Sequence, residues 1–167
     1  KVLSAYKPTV LDADALNLVA QEAIDLSELP VVITPHPGEA ARLLGCQASD
    51  IQKNRFDALE QLIEKLGVVT VLKGAGSLIG APNTAMTYLC HAGNPGMARA
   101  GMGDLLRGII GRLIAQGLSL EEAAKVGVSL HARAGDIVAR DDGQRGMLAM
   151  DLIPAIRELI NPEFEMQ

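Results

Sequence analysis

An α/β fold, with a mostly parallel sheet flanked by helices on both faces, is predicted by three features of this 167-residue chain. The runs Val31-Val32-Ile33 and Val68-Val69-Thr70-Val71-Leu72 are apolar without alternation, as strands covered on both faces are. Between such runs lie stretches with apolar residues at helical spacing, the pattern of crossover helices. With 49% apolar and 21% charged residues, the chain has material for one buried core and no excess that would favour disorder. The organisation expected is one domain over residues 1–167, without repeat, linker or low-complexity segment.

Element by element, Val10-Leu11-Asp12 is the end of a short strand, and Asp14 caps a helix over Ala15–Ile24. Val31-Val32-Ile33 is the second strand. Thr34-Pro35-His36-Pro37-Gly38 stops it, and a short helix, Glu39–Leu44, closes at Gly45. Ser49 and Gln52 form a capping box for one helix that runs to Gly67, with Leu59, Leu62, Ile63 and Leu66 on one face. The strand Val68–Leu72 follows at once. Leu78-Ile79, a turn at Ala81-Pro82-Asn83 and Met86–Leu89 form an antiparallel pair. After a long loop, Ala92–Gly103, a helix spans Asp104–Gln116 and stops at Gly117. Ser119 and Glu122 box the start of a long helix to about Arg140, and Asp151 caps a last one through Ile160.

Fifteen Lys+Arg against twenty Asp+Glu leave a net charge of −5, and no basic run is dense enough to neutralise a row of phosphates. Nucleic acid is excluded as a partner. The apolar stretch Gly67–Gly80 is interrupted by Lys73 and Gly108–Leu118 by Arg112, so neither spans a membrane. Two cysteines, Cys46 and Cys90, lack metal-ligand spacing and fit a reducing, cytoplasmic setting as small apolar side chains. The chain starts at Lys1 without a signal-peptide core, which reads as an N-terminal truncation. Trp is absent, and the four aromatics are Tyr6, Phe56, Tyr88 and Phe164, so aliphatic side chains make the core. Glycine, at 17 residues, exceeds the usual ~7% and calls for local explanations.

In a sheet of this kind ligands sit beyond the carboxyl ends of the strands, where Asp12/Asp14, His36/Glu39 and Lys73–Gly76 fall. The strongest signal is Gly93-Asn94-Pro95-Gly96 followed by Gly101-Met102-Gly103-Asp104. Glycines at a helix start let unpaired N–H groups and the positive dipole end approach an anion. A carboxylate there is repelled by phosphate, so Asp104 is assigned a second duty as the base that takes a proton from a hydroxyl in phosphoryl transfer. The plain alternative is a helix cap.

Lys73-Gly74-Ala75-Gly76-Ser77 is not a dinucleotide fingerprint, because a hairpin rather than a helix follows it. Lys73 is read either as facing a nucleotide phosphate or as a solvated lysine beside a turn. Two prolines hold His36 outward, and Glu39 either balances the helix dipole or contacts Mg²⁺ through water. His131, inside an Ala-rich helix, is read as packing. Asp14 is assigned to an N-cap and Asp12 to a strand-end turn. Met97, Met102, Met147 and Met150 fill gaps.

Asp12-Ala13-Asp14-Ala15-Leu16, Thr34-Pro35-His36-Pro37-Gly38-Glu39, Leu72-Lys73-Gly74-Ala75-Gly76 and Gly93-Asn94-Pro95-Gly96-Met97-Ala98 with Gly101-Met102-Gly103-Asp104 together resemble the ADP-dependent NAD(P)H-hydrate dehydratases. The resemblance runs from about Val10 to Arg140. It implies a ribokinase-like fold, of which this chain is the C-terminal part, and a repair activity on hydrated NADH or NADPH. By the same resemblance Lys73, Gly74, Ala75, Gly76, Ser77 and Gly103 bind the nucleotide, ADP or ATP with Mg²⁺. His36 and Asp104 contact the hydrate, and Asp104 is the base. The chain departs from the family's pattern at Arg99-Ala100, where a small residue and glycine are usual.

Two other readings stay open. One is a vitamin-precursor kinase of the same superfamily, against which His36 weighs because those kinases carry Asn there. The other is an inactive nucleotide-binding fragment. Strands lost from a parallel sheet leave an apolar edge, so a homo-oligomer is expected, with little dehydratase activity from the chain alone.

Overall fold

In the computed structural model, residues 3–161 are described; Lys1 and Phe164 lie outside them. Five strands form one sheet in the order β1 (Thr9–Leu11), β2 (Val31–Ile33), β3 (Val69–Leu72), β4 (Ser77–Gly80) and β5 (Tyr88–Cys90). The sheet is mixed. β1, β2 and β3 run parallel, and the hairpin expected after Lys73 adds β4 and β5 antiparallel, with Leu78 opposite Leu89. β5 lies one to two residues beyond the expected Met86–Leu89.

Helices cover both faces, as the uninterrupted apolar strands require. Val31, Ile33 and Leu72 face α1 (Asp14–Gln21), α2 (Pro37–Leu44), α3 (Ala48–Lys53) and α4 (Arg55–Leu66), where Leu16, Leu43, Leu59 and Leu62 are buried. Val32, Val69, Val71 and Ile79 face the opposite way, onto Leu106 and Ile110 of α5 (Met102–Ala115) and Val128 and Ala132 of α6 (Leu120–Asp141). A smaller cluster seats α7 (Leu152–Ile160) on α6 through Leu152, Ala155 and Val138. No helix among the described residues is long and apolar enough to cross a membrane.

Several local expectations are corrected. The single helix expected from the Ser49/Gln52 box is two. Asp50 accepts the Gln47 N–H (3.3 Å) to start α3, and the chain breaks at Asn54, whose side chain accepts the Asp57 N–H (3.4 Å) to start α4. Asp14 is the first residue of α1, not its cap; Ala13 holds the cap position at φ +50° and makes no side-chain cap bond. Asp151 accepts the Leu148 N–H (2.7 Å) and fixes a 3₁₀ turn before α7 rather than capping that helix. Ser119 and Glu122 do form the expected box at α6.

α2 and α5 each begin two residues earlier than expected, which matters for the site. His36 becomes the cap of α2, and Asp104 the third residue of α5 behind Gly101. Gly101 has φ +87°, a left-handed conformation that suits glycine, so the plain reading of Asp104 as a helix cap does not hold.

Candidate functional site

The three parallel strands end at one edge and deliver Asp12, His36 and Lys73 side by side. The ladder continues past the strands, with Thr34 N–H donating to the Leu11 carbonyl (3.1 Å) and Lys73 N–H to that of Pro35 (2.8 Å). His36, Lys73 and the start of α5 border a cleft of about 800 Å³, within the size range of small-molecule sites. Its lining includes His36, Lys73 to Ser77, the 91–95 loop, Arg99 and Gly103.

Lys73 is neither solvated nor free. Its Nζ lies 2.7 Å from Asp12 Oδ1 and 4.0 Å from Glu39 Oε2, with only 21% of its side chain exposed. Asp12 is therefore not a turn former but a buried carboxylate, which the ammonium offsets, as burial of a charge requires. A Cβ on Gly103 would stand 3.1 Å from Asp12 Oδ2 and 3.5 Å from Lys73 Nζ. The first turn of α5, with N–H groups that have no acceptor in the preceding helix, thus lies directly on this ion pair.

The glycine loop 74–77 is braced from behind by Arg55, which sequence reasoning missed. Its guanidinium donates to the carbonyls of Leu72 (3.0 Å), Ala75 (2.5 Å) and Gly76 (2.8 Å), and desolvation lowers its pKa from the ordinary value. No local signal marked it: a single helix running to Gly67 puts Arg55 in a helix interior, and only the fold brings it to these three carbonyls.

His36 is held inside its own turn. Its Nδ1 accepts from the N–H groups of Gly38 (3.0 Å) and Glu39 (3.4 Å), its N–H donates to Glu39 Oε2 (2.8 Å), and Nε2 lies 3.3 Å from Glu39 Oε1. Half the imidazole stays exposed at the cleft while Glu39 is buried. Both Glu39 oxygens are thus engaged by protein donors. No three His, Cys, Asp or Glu side chains among the described residues form a group able to hold a metal, so these residues do not fit a direct Mg²⁺ site.

Asp104 does not line the cleft. It stands beside Gly103 with its side chain 69% exposed and Oδ1 2.7 Å from Arg107 Nη2. His131, expected as packing, is buried at the cleft floor. Desolvation pulls its pKa down to about 4, a nearby Met102 carbonyl partly opposes this, and Lys73 adds to it.

The fold therefore holds His131 neutral, whereas the unfolded chain protonates it near its ordinary 6.5. The unfolded state binds the extra proton between these values, so stability is expected to fall as pH drops from about 6.5 to about 4. The expected loss is on the order of 3 kcal/mol. Denaturant unfolding across this range checks it: His131→Leu should flatten the slope relative to the unaltered chain, and equal slopes would contradict it.

Comparison with known proteins shows the family. A family model described as NAD(P)H-hydrate dehydratase matches residues 1–158. The bifunctional NAD(P)H-hydrate repair enzyme Nnr of Coxiella burnetii is 52% identical over 97% of this chain, which spans 33% of that protein. The ADP-dependent (S)-NAD(P)H-hydrate dehydratase of Neisseria meningitidis is 43% identical over 93% of the chain and 54% of its own length. Among solved structures, an ADP/ATP-dependent NAD(P)H-hydrate dehydratase of Bacillus subtilis, co-crystallised with ATP/Mg²⁺, superposes with a TM-score of 0.82. It is 29% identical over 95% of this chain and 57% of its own. The chain thus spans between a third and about half of these relatives. With matches at this identity along nearly its whole length, it belongs to the NAD(P)H-hydrate dehydratase family.

Proposed function

We propose that the cleft binds ADP or ATP and serves the nucleotide-dependent dehydration of hydrated NADH or NADPH. The observation that carries this reading is the contact of Gly103 with the Lys73–Asp12 pair, which joins a helix N-terminus, an ammonium group and the glycine loop 74–77 at one cleft. Gly103 and the Lys73–Ser77 loop take the phosphates. His36, half-exposed at the rim, meets the hydrate. Asp104, one residue past Gly103, removes the proton of the ring hydroxyl. The oxygen then accepts the terminal phosphoryl group of the nucleotide. Phosphate leaves with the electrons of the C–O bond, and the neighbouring ring carbon gives up a proton as the double bond reforms. ADP ends as AMP and the hydrate as the reduced dinucleotide. Magnesium would come with the nucleotide phosphates, and Glu39, buried with both oxygens engaged by His36, would reach it only through water.

The chain acts, on this account, as the nucleotide-binding part of a larger ribokinase-like domain, consistent with its share of the relatives' length. Free Cys46 and Cys90 support a reducing, cytoplasmic compartment. Exposed Tyr88 and Leu89 on the edge strand β5 support self-association.

The activity is tested by supplying ADP and NADH-hydrate to a protein that contains this chain within a whole domain. AMP, phosphate and NADH should appear in equal amounts. Transfer of phosphate from ATP to a thiazole or pyrimidine alcohol, without those products, would make it a kinase instead, and no turnover of either substrate would leave a nucleotide-binding fragment.

A further inference from the structure

The loop Ala92–Gly101 forms one wall of the cleft, yet its regular structure is only a 3₁₀ turn, Pro95–Met97. Fixing such a segment costs conformational entropy, so something must hold it. Two side chains do. Asn94 uses both amide hydrogens, one on the Gly135 carbonyl (3.0 Å) and one on Asp136 Oδ1 (3.0 Å), while its Oδ1 accepts the Gly96 N–H (3.0 Å). Asp136 Oδ2 accepts the Gly93 N–H (2.9 Å). The main chain on both sides of Asn94 is thereby tied to α6. Asp136 does not itself line the cleft, and each of its oxygens has a loop donor.

We propose that Asp136 and Asn94 form a positioning clamp that sets the 93–97 loop as the wall against which the nucleotide binds. This rests on the nucleotide reading of the cleft. The clamp and simple charge effects predict opposite signs for one substitution. Asp136→Asn removes a negative charge near an anion site, which by Coulomb's law alone tightens nucleotide binding. As a clamp it fails: the substituted side chain can still accept from Gly93 through its oxygen, but its amide nitrogen then faces the amide nitrogen of Asn94, donor against donor.

The double exchange, Asp136→Asn with Asn94→Asp, restores the complementarity with the charge unchanged. The new amide donates to the new carboxylate, whose second oxygen still accepts the Gly96 N–H, and only the Gly135 carbonyl loses its donor.

The test is ADP affinity by calorimetry for the unaltered chain, Asp136→Asn, Asn94→Asp and the double exchange, with thermal midpoints recorded alongside. Each single variant should bind ADP about 10-fold more weakly, the worth of one charge-assisted hydrogen bond. The double exchange should return to within about threefold of the unaltered chain. Tighter or unchanged binding by Asp136→Asn overturns the clamp. So does a double exchange that restores the thermal midpoint but not the affinity, since that marks a role in stability only. Failure of the unaltered chain to bind ADP overturns the nucleotide reading itself, an outcome distinct from either of these.

Discussion

Asp104→Asn is expected to leave ADP affinity within a few-fold and to cut turnover of NADH-hydrate by about 10²–10⁴-fold, the usual worth of a general base. The substitution preserves shape at an exposed position whose visible partner is Arg107, three residues along the same helix. An exposed pair of that kind is worth only about 0.2–1 kcal/mol, so folding is not at stake. Steady-state rates with saturating ADP, set beside ADP affinity, separate the two readings of this residue. A variant that keeps most of its rate would reduce Asp104 to a carboxylate that steadies the first turn of α5.

Gly103→Val should abolish nucleotide binding at accessible concentrations. The side chain has to enter where a Cβ already stands 3.1 Å from Asp12 Oδ2 and 3.5 Å from Lys73 Nζ. It both blocks the approach to the α5 N-terminus and pushes the ammonium aside. Two charge-assisted hydrogen bonds of about 1.5 kcal/mol each correspond to at least about 100-fold in affinity. Calorimetric titration with ADP measures it, circular dichroism confirms the fold, and Gly103→Ala should fall between the two. Unchanged affinity in a folded Gly103→Val variant would remove this turn from the site.

Much of the fold was legible because its signals are local. Val31 to Ile33 and Val68 to Leu72 read as covered strands, Gly45 and Gly67 as helix ends, and the Ser119/Glu122 box as a start, and each stands in the structure, the second strand beginning one residue later at Val69. Two of the misreadings, Asp12 and Arg55, trace to partners far along the chain, whereas the helix starts at Gln47, Asn54 and Leu148 turn on bonds three residues long. Nothing near Asp12 announces Lys73, 61 residues on, and Arg55 looks like part of a helix interior until it is seen holding carbonyls 17 to 21 residues away.

The candidate site followed the same division. The glycines and the His36 turn declared themselves through backbone chemistry, whereas Asp136 sits in a long helix with no local feature to separate it from any solvated acid. Only the fold brings it to Gly93 and Asn94.

The central claim is that the Lys73–Ser77 loop, the 93–97 loop and the start of α5 form one nucleotide site. Titrating the ¹⁵N-labelled 167-residue chain with ADP and following its amide resonances tests this most directly. Gly74, Gly76, Gly93, Gly96 and Gly103 should move together along one saturable binding curve at whatever affinity the chain has for ADP. Saturable shifts confined to other surfaces, or none at these five glycines at millimolar ADP, would contradict it.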